Sequence, residues 1–397
     1  MSVSRLGPSA LRAPSGRAAV APFQAMDVMV EAAALEAEGR DIVRMEVGQP
    51  GGAAPEAARR ALGAMLEEPL GYTVALGLPA LRAAIAALYQ ERHGLDLDPA
   101  RVIVTTGSSA GFQLAFLALF EAGDRLAMAD PGYPSYRNIA RALGLEPVRL
   151  EAGWPERFQP SPALLEAAAR AGPIHGLLAA SPANPTGSML DRAALGALIE
   201  ATEALGAAFI SDEIYHGLHY ETPAPCALEH SDEAFIINSF SKYFAMTGWR
   251  IGWMIAPERF IRPIERLAQN LFICPPHASQ TAALAALSPA AGRELDARRA
   301  GYARNRAHLL GMLPAAGLAR IAPADGAFYL YAELPEALGD SGVWCRRLLR
   351  EAGVAATPGL DFDPIRGARF VRFSFAGAFE RVREGAERVE SFLTKRS

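Results

Sequence analysis

Ser239-Phe240-Ser241-Lys242-Tyr243-Phe244-Ala245-Met246-Thr247-Gly248-Trp249-Arg250-Ile251-Gly252 sets a lysine between two apolar runs, AFII ending at Ile237 and IGWMIA beginning at Ile251. A primary amine held among apolar strands loses hydration, which lowers its pKa and leaves more of it neutral and nucleophilic toward a carbonyl. Ser239, Ser241, Thr247 and Arg250 add hydroxyl and guanidinium donors suited to a phosphate. An aldehyde that also carries a phosphate satisfies both halves. The blander reading is an exposed hairpin lysine beside a chance Arg-x-Gly, and the rest of the chain decides between the two.

Outward from this stretch, from about residue 100, short apolar or β-branched runs alternate with amphipathic helical patterns. VIVTTG, RLAMAD, PVRLEA, HGLLAAS, AAFISDE, AFIINSF and RIGWMIA read as strands; Ser109–Phe120, Ser135–Leu143, Pro162–Ala171 and Arg192–Leu205 read as helices. This alternation predicts an α/β domain of three layers, a mostly parallel sheet covered on both faces. Ligands of such sheets bind beyond the carboxyl ends of the strands.

Those ends carry chemistry. VIVTT runs into Gly107-Ser108-Ser109 and directly into an apolar helix, which makes an anion site or merely a cap. RLAMA ends at Asp130-Pro131-Gly132-Tyr133-Pro134-Ser135-Tyr136, and HGLLAA at Ser181-Pro182-Ala183-Asn184-Pro185-Thr186-Gly187, both also legible as plain turns. AAFIS delivers Asp212, with Tyr215 three residues on; a carboxylate after a buried strand needs a cation or several donors. Near the C-terminus, Arg372 sits in the alternating strand Phe370-Val371-Arg372-Phe373-Ser374-Phe375-Ala376, either paired to a protein carboxylate or waiting for that of a ligand.

The pattern S-x-S-K-x-x-x-x-x-G-x-R-x-G, with D-P-x-Y-P-x-Y, N-P-T-G and R-x-S-x-A at the other strand ends, closely resembles the class I/II aminotransferases, the aspartate aminotransferase-like fold-type I enzymes that use pyridoxal 5'-phosphate. The resemblance runs from about Met26 to the end of the chain. It implies that Lys242 holds the cofactor as a Schiff base and then carries the proton from the substrate's α-carbon. Ser108, Ser109, Ser239 and Arg250 fall on the phosphate and Tyr133 flat on the ring. Asn184 and Tyr215 fall on the phenolic oxygen, and Asp212 on the ring nitrogen. Arg372, with Gly48 and Asn184 beside it, falls on the substrate carboxylate. Tyr72 falls where members give a tyrosine to the neighbouring subunit's phosphate, which implies a homodimer. The reaction implied is transfer of an amino group from an L-amino acid to a 2-oxo acid such as 2-oxoglutarate.

Composition agrees with a soluble globular protein: 397 residues, 51% hydrophobic and 21% charged. A net charge of -4 argues against nucleic acid or an acidic membrane surface, and no apolar window is long enough to span a bilayer. Cys226, Cys274 and Cys345 form no CxxC pair, and a reducing cytoplasm fits them best; the seven histidines share no metal-ligand spacing. The expected division is a large cofactor-binding domain over 48–295 and a smaller α+β domain from 20–47 plus 296–397, with strands at 42–47, 318–321, 327–334, 354–357 and 369–375. Residues 1–19 form an N-terminal arm.

The same residues also serve a β-eliminating C–S lyase, and a non-catalytic effector-binding domain is a third reading, opposed by the retained lysine and the lack of a helix-turn-helix stretch before Met26. Gln49-Pro50-Gly51-Gly52 departs from the commoner acidic version of its loop. A dicarboxylic substrate needs a second cation, and none is assigned; Arg137 follows Tyr136 with its direction open. The donor amino acid stays open with it.

Overall fold

The structure, a computed structural model, describes residues 13–394. The expected arm over 1–19 therefore lies largely outside the described residues. The chain enters through α1 (Gln24–Ala37), the short β1 (Val43–Arg44), α2 (Glu56–Met65) and α3 (Pro79–His93). It then alternates through β2 (Val102–Thr105), α4 (Ser108–Leu119), β3 (Arg125–Asp130), α5 (Pro134–Leu143), β4 (Glu146–Glu151), α6 (Pro162–Arg170), β5 (Gly176–Ala180), α7 (Arg192–Ala204) and β6 (Ala208–Asp212). β7 (Phe235–Ser239) and β8 (Gly252–Ile255) flank the lysine turn.

These strands form a seven-stranded sheet in the order β2-β8-β7-β6-β5-β3-β4, parallel throughout except for β8, which runs against both neighbours. β2 and β7 are buried along their whole length, as strands covered on two faces must be. Successive residues serve opposite cores. Val102, Val104 and Ile236 join a core with Leu177, Leu195 and Leu198, while Ile103, Phe235 and Ile237 join another with Phe112, Phe116 and Ile264. The ends of β2, β3, β5, β6 and β7 thus share one edge of the sheet, and the loops predicted to bear chemistry all leave from it.

Beyond β8 follow α8 (Glu258–Leu271), α9 (His277–Ala286), the long α10 (Pro289–Ala315), β9 (Tyr329–Glu333), α11 (Ser341–Arg347), β10 (Val354–Ala355), β11 (Thr357–Pro358), β12 (Phe370–Ser374) and α12 (Phe379–Thr394). β1 pairs in parallel with β10, and β11-β12-β9 form an antiparallel sheet.

Three expected strands differ in detail. The one expected at 318–321 contributes only the isolated bridge Ile321–Ala332. The one expected at 354–357 divides at Ala356, because the chain leaves β1 and joins β12; Pro358, lacking an N–H, suits the edge position it takes. The strand expected at 42–47 stops at Arg44, because the Glu46 carbonyl accepts from the Thr357 hydroxyl and the Arg372 guanidinium instead of a ladder partner.

Candidate active site

A cavity of about 340 Å³ opens at the carboxyl edge of the large sheet and reaches the strands of the smaller one. Ten of the twelve residues singled out from the sequence line it: Gly48, Ser108, Ser109, Tyr133, Asn184, Asp212, Tyr215, Lys242, Arg250 and Arg372.

Lys242 is carried by the turn between β7 and β8, and its Nζ donates to the Gly48 carbonyl at 2.6 Å. Burial first, then the positive charge of Arg372, bring its pKa down to about 8, against the opposing pull of Asp212. Asp212 closes β6. Burial raises its carboxyl to about 6, although the Tyr136 hydroxyl donates to Oδ2, the Ile214 N–H donates to Oδ1 at 3.1 Å, and Lys242 lies near.

Two cations hold opposite kinds of anion site. Arg250 adopts a left-handed backbone, φ 52° and ψ 53°, and among the described residues donates only to the Thr247 carbonyl at 2.9 Å. Beside it α4 begins at Ser108 with no side-chain cap, so its first N–H groups stay open for an acceptor. Gly107 makes the approach possible: its φ is +74°, and a Cβ there would sit 2.5 Å from Arg250 Nη2.

Arg372 is 2% exposed. Its Nη1 donates to Asn184 Oδ1 at 2.8 Å and its Nη2 to Thr357 Oγ1 at 3.2 Å and to the Glu46 carbonyl, while Nε has no partner. The Tyr329 and Phe362 rings lie 4.4 and 4.7 Å from its guanidinium carbon. Among the described residues neither arginine forms an ion pair. A buried guanidinium with only neutral acceptors is costly unless a ligand completes it.

Tyr133 precedes α5 and packs edge-on against Phe23 and Tyr136, with ring centroids 5.9 and 5.3 Å away. The Tyr215 and Tyr329 hydroxyls lie 2.8 Å apart. Gly48 has no room for a side chain, since a Cβ would strike the Tyr329 hydroxyl.

Two expected residues fall elsewhere. Ser239 does not line the cavity: its hydroxyl donates to the Ile251 carbonyl at 3.0 Å and lies 2.9 Å from Ser241 Oγ, and so closes the lysine turn from within. Ser241, two residues on, lines the cavity in its place. Tyr72 is 88% exposed and outside this chain's cavity, on a surface that also exposes Leu70, Val74, Leu271 and Ile273. Tyr136, Tyr329, Phe362 and the cavity-lining residues of α1 were not predicted for the site. Tyr136 at least stood in the quoted D-P-x-Y-P-x-Y segment, whereas nothing local marks the other residues. Among the described residues no group of three or more His, Cys, Asp or Glu side chains is placed to hold a metal, and no helix is long and apolar enough to cross a membrane.

A lysine with a lowered pKa, a buried carboxylate and two unpaired arginines around one cavity describe an enzyme of amino-group chemistry. The sequence model of aminotransferase class I and II matches residues 40–389, and the chain belongs to that family. It is 49% identical over 380 residues to the valine–pyruvate aminotransferase of Mycobacterium tuberculosis, covering 95% of this chain and 97% of that protein. The crystal structure of an aminotransferase from Mycobacterium tuberculosis superposes with a TM-score of 0.94 at 48% identity, covering 97% of this chain and all of that one. Aspartate aminotransferase from Thermus thermophilus with maleate does so at 0.90 and 32% identity, covering 96% of this chain and all of that one. The protein is therefore an aminotransferase of the aspartate aminotransferase fold, transferring an amino group from an amino acid to a 2-oxo acid. The lyase and effector-domain readings find no support among these relatives.

Proposed function

We propose that the cavity holds pyridoxal 5'-phosphate and that Lys242, Asp212 and Arg372 are its principal working residues. The observation that carries the reading is the pair of unpaired arginines around a half-buried lysine: one beside an open helix N-terminus, suited to a phosphate, the other among neutral acceptors, suited to a carboxylate. Ser108, Ser109, Ser241 and Arg250 would hold the phosphate, Tyr133 the ring face, Asn184 and Tyr215 the phenolic oxygen, and Asp212 the ring nitrogen. When bound, the cofactor supplies an electron sink for charge developing at the substrate's α-carbon.

The residues of the chain do the rest. Arg372 takes the substrate carboxylate as a bidentate pair and fixes the α-carbon relative to Lys242. Lys242, whose pKa of about 8 leaves a larger neutral fraction at pH 7 than an ordinary lysine has, would hold the cofactor's aldehyde and carry the proton of the substrate's α-carbon. Asp212 keeps a compensating negative charge at the ring nitrogen, and the Tyr136 hydroxyl holds it in place. Amino acid leaves as 2-oxo acid, and a second 2-oxo acid takes the amino group by the reverse steps.

The valine–pyruvate name of one relative favours an aliphatic donor and a small acceptor; 2-oxoglutarate is the other acceptor to try. The exposed apolar surface around Tyr72 supports a homodimer in which that tyrosine reaches the partner's phosphate. Three unpaired cysteines support a cytoplasmic setting. The two sets of strands support a large domain over 48–295 and a small one from 20–47 plus 296–397, with the boundary inside α10. A panel of amino acids with pyruvate or 2-oxoglutarate tests the activity: alanine or glutamate must accumulate, and ammonia without either would reject the reading.

A further inference from the structure

α1 carries two apolar faces with different duties. Val28, Ala32 and Leu35 pack on Ile42, Leu349 and Ala355, while Phe23, Met26 and Met29, three residues apart in turn, line the active-site cavity. The helix has no side-chain cap of its own at Phe23. Its first two N–H groups, those of Gln24 and Ala25, instead donate to Asp361 Oδ1 and Oδ2 at 3.0 and 3.1 Å, across more than 330 residues of sequence. A buried carboxylate at a helix N-terminus satisfies orphan donors and complements the helix dipole.

Asp361 is itself held. Arg137 donates to its carbonyl and, at 3.4 Å, to that of Phe362, whose ring lies against the Arg372 guanidinium. One short segment therefore sets both the α1 wall and the arginine of the cavity.

We propose that Asp361 is a positioning residue for substrate side-chain specificity: it clamps α1 so that Phe23, Met26 and Met29 form an apolar wall that accepts an aliphatic side chain and refuses a second carboxylate. The inference rests on reading Arg372 as the handle for the substrate's α-carboxylate. Refusal follows from charge as well as shape. Neither Arg137, held on the Asp361 and Phe362 carbonyls, nor Arg44, paired with Glu36 and Glu46, lines the cavity, so neither is placed for a distal carboxylate. Glu46 lines the cavity with one carboxylate oxygen unpartnered, which sets like charge against it.

The test uses the holoenzyme and two variants, Asp361→Asn and the double variant Met26→Ala, Met29→Ala, with a branched aliphatic donor, alanine and aspartate against one acceptor. Asp361→Asn keeps one acceptor and loses the other. Its KM for the branched donor should rise about tenfold with kcat within about twofold, alanine should change less, and amide exchange over residues 23–30 should accelerate. The double variant should lose the same discrimination without faster exchange. The proposal is overturned if Asp361→Asn shifts both donors by one factor, if α1 exchange is unaltered, or if wild type prefers aspartate. Should Asp361→Asn not fold, the double variant decides, and unchanged discrimination overturns the proposal. Arg372→Gln separates the underlying reading: if KM for every donor survives it, the carboxylate handle fails, while the exchange response of Asp361→Asn still reports the clamp.

Discussion

The cofactor half and the substrate half of this cavity are built on different principles. The first is a row of strand ends: Asp212 closes a strand of one sheet and Ser108, Tyr133, Asn184 and Lys242 each follow one, so a regular fold delivers its parts in chain order. The second is assembled from distant pieces: Phe23 just before α1 and Met26 on it, Glu46 after β1, Tyr329 on β9 and Arg372 on β12, with Asp361 after β11 holding α1 from behind. What a sheet positions is common to many chains of this fold; what several small elements position together can vary with the substrate. Substitutions in the two halves should therefore fail differently.

The largest effect belongs to the residue where the halves meet. Lys242→Ala should lower kcat by about 10⁴-fold or more and abolish the yellow absorption of the loaded protein, with thermal stability little changed. Arg372→Gln comes next. It should raise KM for every donor by about 100-fold, the scale for losing a buried charge-assisted pair, while the cofactor absorption persists. A loss of that absorption would erase the distinction between the halves. Tyr136→Phe removes a hydrogen bond that holds the Asp212 carboxyl down, so Asp212 should titrate higher than its present value of about 6. Turnover should then fall about tenfold at pH 7 and recover as the pH is raised.

The smallest effect is one of pH on the cofactor-free protein. Because burial lowers Lys242 to about 8, the neutral fraction grows as pH rises through that value. The rate of aldehyde capture should increase about tenfold between pH 7 and pH 9 and then level off. A rate still rising steeply above pH 10 would mean that the lysine is solvated.

The same contrast explains what the sequence made legible. Strand runs such as AFIINS and VIVT are continuous and apolar because both faces are covered, and their ends are marked by short motifs, so the large sheet and ten of the twelve named residues could be located. Ser239 and Ser241 both flank the lysine, and only the geometry of the turn decides that Ser241 lines the cavity while Ser239 bonds within the turn. Tyr329 and Phe362 carry no local signature. Their role comes from lying on either side of Arg372, a relation between segments that no spacing encodes. Asp361 is harder still, since capping a helix more than 330 residues away leaves no trace in either stretch. The strand at 354–357 was found but not its break, because the change of partner from β1 to β12 is a tertiary event.

The sequence contains two lysines, Lys242 and Lys395, the latter outside the described residues. Borohydride reduction of the protein loaded with pyridoxal 5'-phosphate, followed by peptide mass spectrometry, therefore reads the assignment directly. The account predicts one stoichiometric phosphopyridoxyl group, on Lys242 alone, and none there after Lys242→Ala. A label on Lys395 or the α-amino group with Lys242 unmodified would contradict it.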